Sequence, residues 1–533
     1  MAAESGTEFD AVVVGAGFAG LVMLHHLREH GFSVRVFETG SGIGGTWFWN
    51  RYPGARCDIE SLEYSYQFSA ELQQEWEWSE RYATQPEILR YIEHVADRFD
   101  LRRDIQLETR VRSAHWNEAR GHWEIETERA TTTARFFIMA TGCLSSANLP
   151  DFPGRDSFAG PTYHTGRWPH GGVDFTGQRV AVIGTGSSAI QSIPLIAEQA
   201  SHLTVFQRTP SYSIPAHNAP LDPKTVRAVK TDYAGFRAFN AAQPFGAGFP
   251  PNPVFAFHVD EAERERVYEE RWQIGGLGFV TAFGDLLVDA TANQTAAEFV
   301  RGKIHEIVRD PKLAEMLSPK QVIGCKRLCV DTGYYATFNR PNVSLVDVST
   351  TPIEAITPRG VRVAGVEYEV DAIVFATGFD AMTGALLAVD IRGAGGRKLR
   401  EKWAEGPRTY LGLGTAGFPN LFIITGPGSP SVLANMVPAV EQHAEWIRDC
   451  LVYLREHGIP RIDALPAAED AWVGHVNDVA NLTVFPSCNS WYLGANVPGK
   501  PRVFMPYIGF PTYVAKCNEV AAKGYEGFAL TPA

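Results

Sequence analysis

The sequence predicts an α/β protein built on two strand–turn–helix–strand units with a helical insertion, and three observations predict it. A short apolar run, a glycine-rich turn and a helix-period pattern occur in that order twice in the chain. Each copy is closed by a second strand-like run. A long charged stretch with helical character then separates the second copy from the strand expected to complete it.

In the first copy, Phe9–Val14 reads as a fully apolar strand, and Gly15-Ala16-Gly17-Phe18-Ala19-Gly20 follows at once. Leu21, Leu24 and Leu27 recur at helical spacing, Gly31 stops the helix, and Ser33–Glu38 is the next strand. In the second copy, Arg179–Ile183 is the strand and Gly184-Thr185-Gly186-Ser187-Ser188-Ala189 the turn. Ile190–Ala200 is the helix and Leu203–Arg208 the following strand. A lone GxGxxG is a weak signal; between a strand and a helix it marks a Rossmann-like, dinucleotide-binding unit.

Between the copies, Trp116–Thr127 alternates and is rich in strand formers. Phe136–Ala140 runs into Thr141-Gly142, and Ala372–Ala376 into Thr377-Gly378; at both places the chain is expected to cross at the edge of its unit. The stretch from Pro210 to about Pro319 reads as helical, with a Pro/Gly/Phe-rich break at Gln243–Phe257 to which no role is assigned. The expected division is 1–150 for the first part of one domain, 151–380 for a second domain carrying an insertion at about 214–320, and 381–533 for the return to the first.

The turns suggest their ligands. Gly15, Gly17 and Gly20 let a backbone approach a pyrophosphate at a helix N-terminus, where free N–H groups and the helix dipole favour anions. Glu38 lies 23 residues after Gly15, placed to accept from a ribose 2′-hydroxyl and to repel a 2′-phosphate, which fits FAD or NAD. The plainer reading is a tight turn with an incidental acid. At the same 23-residue spacing from Gly184 stands the neutral Gln207, followed by Arg208 and Thr209. Removing the acid and supplying an arginine suits a 2′-phosphate, so the second cofactor is expected to be NADPH rather than NADH. The plainer alternative is a surface arginine at a strand end. FAD and NADPH together imply a flavin-dependent oxidoreductase.

Composition removes other classes. Hydrophobic residues are 45% and charged residues 20% of the 533, which excludes disorder and small disulfide scaffolds. Lys and Arg number 48 against 60 Asp and Glu, a net charge of −12 with no basic run, so nucleic acid is not an expected partner. Seven scattered cysteines without a CxxC argue against a dithiol reductase and a metal site, and fit a reducing compartment. Met1–Asp10 is acidic and polar, unlike a signal peptide, and no run of 18 apolar residues suggests a membrane span; a soluble, cytoplasmic protein is expected. The oligomeric state is not legible.

Phe158-Ala-Gly160-Pro-Thr-Tyr-His164-Thr-Gly-Arg-Trp168-Pro169 fits the pattern FxGxxxHxxxW[P/D] and precedes the second glycine turn. With Gly44-Gly45-Thr46-Trp47, Arg51–Asp58, Lys326-Arg327, Ala376–Asp380 and Ser490-Trp491 in order along the chain, the sequence resembles the type I Baeyer–Villiger monooxygenases from end to end, in the branch of phenylacetone, steroid and cyclohexanone monooxygenases. The resemblance implies that NADPH reduces FAD, that O2 then forms a C4a-peroxyflavin, and that a ketone becomes an ester or lactone.

The resemblance also implies roles. Arg327 matches the arginine that stabilises the anionic peroxide, and Asp58 the carboxylate that positions it. Lys326, with Arg208 and Thr209, matches the 2′-phosphate contacts, and Thr185–Gln191, including Gly186, Ser187, Ser188 and Ala189, the pyrophosphate turn. Trp47 and Tyr64 match neighbours of the flavin, Trp491 a residue of a loop closing over NADP, and Gly428–Leu433 a segment near the flavin that would form part of the ketone pocket. His164 is expected to be hydrogen-bonded structure at the domain junction rather than an acid or base. At Tyr507-Ile508-Gly509-Phe510-Pro511 the chain has one glycine where relatives often have two. The alternative enzyme is an N- or S-oxidising flavin monooxygenase, against which Trp168-Pro169 argues; outside enzymology, a redox sensor without oxygenase chemistry is opposed by the presence of both Asp58 and Arg327.

Overall fold

The computed structural model describes residues 8–532. Of the segment read above as unlike a signal peptide, Met1–Thr7 lies outside the described residues. Strand β1 (Glu8–Val14) is buried from Ala11 to Val14 and lies between β2 (Val34–Phe37) and β3 (Thr131–Met139), parallel to both. Its near-continuous apolar run is what a strand covered on both faces requires. Helix α1 (Phe18–Glu29) covers it with Leu21, Leu24 and Leu27, all fully buried.

The sheet extends past β2 to Ile105–Gln106. On the other side the alternating stretch around Trp116 is a hairpin: Val111–Asn117 runs antiparallel to His122–Thr127 with Trp116 opposite Trp123, and Gly121 at φ +66° makes the turn. The chain's last third returns to this sheet, with Asp390–Arg392 beside the 111–117 strand and Leu421–Ile423 beside β3. The long helix Met436–Glu456 packs against α1.

The second sheet is wholly parallel. Around β4 (Arg179–Ile183) lie β5 (His202–Gln207) and β6 (Ala372–Phe375), flanked by Val343–Asp347 and Thr162–His164. Helix α2 (Ser187–Gln199) follows the turn after β4. Neither strand that runs into Ala-Thr-Gly is at a sheet edge: β3 and β6 are interior, and each ends beneath the glycine turn of its own unit. A Cβ on Gly15, at φ +105°, would stand 2.7 Å from the Ala140 carbonyl oxygen; Gly184, at φ +114°, sits in the same way over Ala376. Only glycine fits both the backbone angle and this approach.

The insertion is rooted where Ser213–Pro215 pairs in parallel with Cys329–Asp331. Its Tyr268, Phe279, Val300 and Ile304 share one core with Val182, Ile190 and Val205 of the second unit, so it packs onto that unit. The first half of the Pro/Gly/Phe-rich break docks on the other unit: Asn435 N–H donates to the Phe245 carbonyl at 2.8 Å, Phe510 N–H to that of Pro244 at 2.9 Å, and Gly248 N–H to Glu63 at 3.0 Å, while its second half stays on the insertion, with Asn252 N–H donating to the Thr281 carbonyl at 3.1 Å. Among the described residues no helix is long and apolar enough to cross a membrane.

Candidate active site

One cavity of about 1250 Å³ touches both glycine turns. That exceeds the ~300–1,000 Å³ usual for a pocket holding one drug-sized ligand. From the first unit Gly15, Gly17, Glu38, Thr46, Trp47, Asp58 and Tyr64 reach it; from the second, Thr185, Gly186, Ser187, Ser188, Gln191, Arg208 and Thr209; from further on, Lys326, Arg327 and Trp491. Gly20 and Ala189, both named from the sequence for the glycine turns, do not line it. Gly20 lies under the first turn, where a Cβ would overlap the Gly15 carbonyl, so its glycine serves close packing of helix on turn. Ala189 is fully buried in the second unit's core.

The first unit presents an acid. Glu38 follows β2 directly and is buried; its carboxylate accepts from Ala16 N–H at 2.8 Å and Gly40 N–H at 2.7 Å, which fixes it beside the turn. The Gly44-Gly45 backbone lies against the turn, with Gly44 N–H donating to the Ala16 carbonyl at 2.9 Å and Gly45 leaving no room for a side chain over Gly17. Trp47 Nε1–H donates to the Tyr64 hydroxyl at 3.1 Å, and the two rings meet edge to face.

The second unit repeats the backbone and reverses the charge. Gly15 N–H donates to the Phe37 carbonyl and Gly184 N–H to that of Phe206, so Gln207 is the register equivalent of Glu38. Gln207, however, is buried and turned into the insertion, its amide donating to the Met316 carbonyl at 2.7 Å. The position at the cavity mouth belongs to Arg208, which is exposed, and to Lys326, whose pKa is lowered by burial and then by Arg208. Thr185 Oγ1–H donates to the Thr209 carbonyl at 2.8 Å and ties the turn to this strand end.

The two units meet at Asp58 and Arg327, 269 residues apart in sequence. Arg327 Nε–H donates to Asp58 at 3.3 Å and its Nη1–H to the Val432 carbonyl at 3.1 Å. Burial opposes the Arg327 charge, but Asp58, with Tyr492 and Cys57, more than offsets it and leaves the guanidinium above its ordinary pKa. Burial pushes the Asp58 carboxyl up while Arg327 pulls it back. Both line the cavity; the Asp58 side chain is 9% exposed and that of Arg327 29%, so the cation is the more open of the two.

Sequence reasoning named Gln191 for the pyrophosphate turn; its amide also donates to Asp58 at 3.3 Å and to the Arg56 carbonyl at 3.0 Å, and accepts from the Tyr52 hydroxyl at 2.8 Å. Tyr52 belongs to the Arg51–Asp58 stretch, which gives it no role of its own, and no local pattern marks Tyr492. In the segment after the Gly428 turn, Val432 and Ala434 line the cavity, whereas Leu433 packs into the neighbouring cluster of Cys143, Met382 and Phe504. His164 is buried; its Nδ1 accepts from Gly166 N–H at 2.9 Å, its Nε2 faces the Asn148 carbonyl, and burial lowers its pKa, all of which describe a neutral structural histidine.

The cavity fits two dinucleotides on its own terms. Neither α1 nor α2 has a side-chain cap, so their first N–H groups face the space where a pyrophosphate would lie. A Cβ on Gly186 would meet nothing within 4 Å. Asn50 Oδ1, Ser490 Oγ and Asn496 Oδ1 are buried without partners, and all three residues line the cavity. Among the described residues, the one cluster of metal-type ligands is His25, His26 and Glu29 on α1; nearby Arg28 and Arg448 oppose a cation there.

Residues 12–234 match the pyridine nucleotide-disulphide oxidoreductase family model. The chain is 44% identical to a Baeyer-Villiger monooxygenase of Pseudooceanicola batsensis, over 98% of this chain and 96% of that one. It is 42% identical to a phenazine N-monooxygenase of Lysobacter antibioticus, over 98% and 97%. The solved structure of an oxidized steroid monooxygenase bound to NADP superposes with a TM-score of 0.94 at 54% identity, covering 99% of this chain and all of that one.

Proposed function

The chain belongs to the type I Baeyer–Villiger monooxygenases, and from that premise we propose that Arg327, positioned by Asp58, is the catalytic residue of its oxygenation centre. The protein is an NADPH-dependent flavin monooxygenase that converts ketones to esters or lactones, with FAD and NADPH as cofactors. The single observation that carries the assignment is the Asp58–Arg327 pair, drawn from two units and opening into one cavity that touches both glycine turns.

FAD, once reduced by NADPH, supplies the oxygen-activating chemistry. The chain's own residues hold and orient. Gly15, Gly17 and Glu38 would take the FAD pyrophosphate and ribose, with Trp47 and Tyr64 beside the flavin. Thr185 to Ser188 and Gln191 would take the NADP pyrophosphate, and Arg208, Thr209 and Lys326 its 2′-phosphate. Arg327 presents N–H donors and a charge that cannot be lost by deprotonation, so it holds negative charge developing on the oxygen that attacks the ketone. Asp58 fixes the guanidinium plane, and Gln191 fixes Asp58 in turn. Because Gln191 belongs to the nicotinamide-cofactor unit, its contact makes the pair's geometry sensitive to how that unit sits.

The same reading divides the chain into 1–150 and 381–533 for the FAD domain and 151–380 for the NADP domain, with the insertion at about 214–320; the two separate sheets, one mixed and one wholly parallel, support it. A cytoplasmic location is also part of it: five of the seven cysteines are free, and the Cys325–Cys488 disulfide is the exception to a wholly reduced set. N-oxidation is the second reading, favoured by the similarity to the phenazine N-monooxygenase. A panel of linear, cyclic and aryl ketones plus an aromatic N-heterocycle, incubated with NADPH and analysed by mass spectrometry, tests the proposal. Esters or lactones from ketones support it; N-oxides alone would reverse it.

A further inference from the structure

Cys325 and Cys488 are joined in a disulfide across 163 residues of chain, their Cα atoms 6.0 Å apart. The other five cysteines are free and buried. The bond lies where two cavity walls meet. Cys325 immediately precedes Lys326 and Arg327, and Cys488 is followed by Asn489, Ser490 and Trp491, all of which line the cavity. Tyr492, one residue further, is buried close enough to Arg327 for that charge to oppose the rise that burial imposes on its pKa. The wall around Cys488 has little regular structure of its own: a 3-10 turn at Phe485–Ser487, another at Trp491–Leu493, and irregular chain to Gly509. Its trailing half is anchored by Asn496 on the Phe379 carbonyl at 2.7 Å and by Lys500 on Asp380 at 2.5 Å, and beyond Pro501 it backs the 491–494 turn, with Met505 N–H donating to the Tyr492 carbonyl at 3.0 Å. Its leading half carries the buried, unpartnered Ser490 hydroxyl and is covalently held at Cys325.

We propose that Cys325–Cys488 is a reducible thiol site that latches the 485–494 segment against the Lys326–Arg327 segment and so sets how tightly the nicotinamide cofactor is held. The proposal rests on the assignment of this cavity to NADP. Cys488 is partly exposed and Cys325 fully buried, so an incoming thiol meets Cys488 first. In the step, one thiolate of a dithiol reductant attacks Cys488 Sγ; the S–S bond breaks and Cys325 leaves as a thiolate that takes up a proton. The reductant's second thiol then attacks the mixed disulfide and releases Cys488 as a thiol. Two electrons and two protons pass to the protein, and the dithiol becomes a disulfide. Losing the link restores conformational freedom to an irregular segment. If the closed arrangement is then populated only part of the time, apparent affinity falls by that fraction.

The test uses the FAD-loaded full chain with and without dithiothreitol, in the wild type and in Cys488→Ser and Cys325→Ser. Alkylation under denaturing conditions should count five thiols before reduction and seven after. Hydrogen exchange should rise in peptides spanning 321–328 and 485–494 and stay unchanged at 370–380. The Kd for NADP+, read from the flavin absorbance, should rise by ~3-fold or more. Both serine variants should show the reduced-state exchange whether or not dithiothreitol is present. Seven thiols in untreated protein, exchange indifferent to reduction, or loosening without a change in NADP+ affinity would each overturn the proposal. No readout uses a ketone: a failed latch with intact ketone oxygenation leaves the assigned activity standing, and an opening latch without ester formation places the fault in that activity.

Discussion

Glu38 and Gln207 occupy one place in two copies of one motif, and they point in opposite directions. The carboxylate of Glu38 is pinned beside its turn by two backbone N–H groups. The Gln207 amide is turned away into the insertion, and the cavity mouth is left to Arg208 and Lys326. The backbone is the same in both, down to the N–H that the first glycine donates to the next strand. A turn of this kind provides for any pyrophosphate; the charge at the end of the second strand selects between a free and a phosphorylated ribose.

The comparison breaks most visibly at its shared element. A side chain on Gly15 or Gly184 meets both a positive φ and a carbonyl oxygen of the strand beneath. Strain of ~1–3 kcal/mol from the backbone alone, plus the overlap, should abolish each site separately. Gly184→Val should therefore keep its FAD absorbance and show no saturable NADP+ binding. Gly15→Val should purify without flavin. A variant that loses both cofactors equally would mean that the two turns are not independent sites.

Charge is the next lever. Arg208→Ala should remove a charge-assisted contact worth ~1.5–3 kcal/mol, which raises the KM for NADPH about ten- to a hundredfold and leaves NADH use nearly unchanged. Equal kcat/KM for the two cofactors in the wild type would remove the functional meaning of the Gln207–Arg208 pair.

The smallest effect is one of pH. Burial, then Arg208, lowers the Lys326 pKa. Only its protonated form attracts a phosphate, so binding favours proton uptake, and NADP+ affinity should fall as pH rises, earlier than an ordinary lysine would allow. The drop should be a few-fold and absent in Lys326→Met. An alkaline limb that persists in that variant would assign it to another group.

What the sequence discloses follows from range. The glycine turns, both apolar strands and the acid at Glu38 are local patterns, and the structure places them as the spacing suggests. Asp58 and Arg327 could be paired only through a family resemblance, because nothing periodic connects positions 269 residues apart. The link from Gln191 to Asp58 and the disulfide from Cys325 to Cys488 are likewise products of the fold; an odd number of scattered cysteines without a CxxC gave no hint of a bond. The direction of Gln207 depends on a carbonyl that the insertion brings to it, and Leu433, one residue from a cavity wall, packs away from it because successive side chains of a tight turn diverge.

Arg327→Ala removes the cation on which oxygen insertion depends. The variant should fold and keep FAD, whose turn and Glu38 make no contact with this side chain, and NADPH should still reduce the flavin, more slowly. Oxygen insertion should be lost, because an uncompensated negative charge in a desolvated site costs several kcal/mol. Arg327→Lys should recover little, since lysine lacks the planar fork that Asp58 orients, and Asp58→Ala should show a milder form of the same defect. The measurement is a balance sheet of NADPH consumed, hydrogen peroxide released and ester formed. In Arg327→Ala nearly every NADPH consumed should be matched by one hydrogen peroxide formed from O2; ester formed at wild-type coupling would mean that Arg327 does not hold the reacting oxygen.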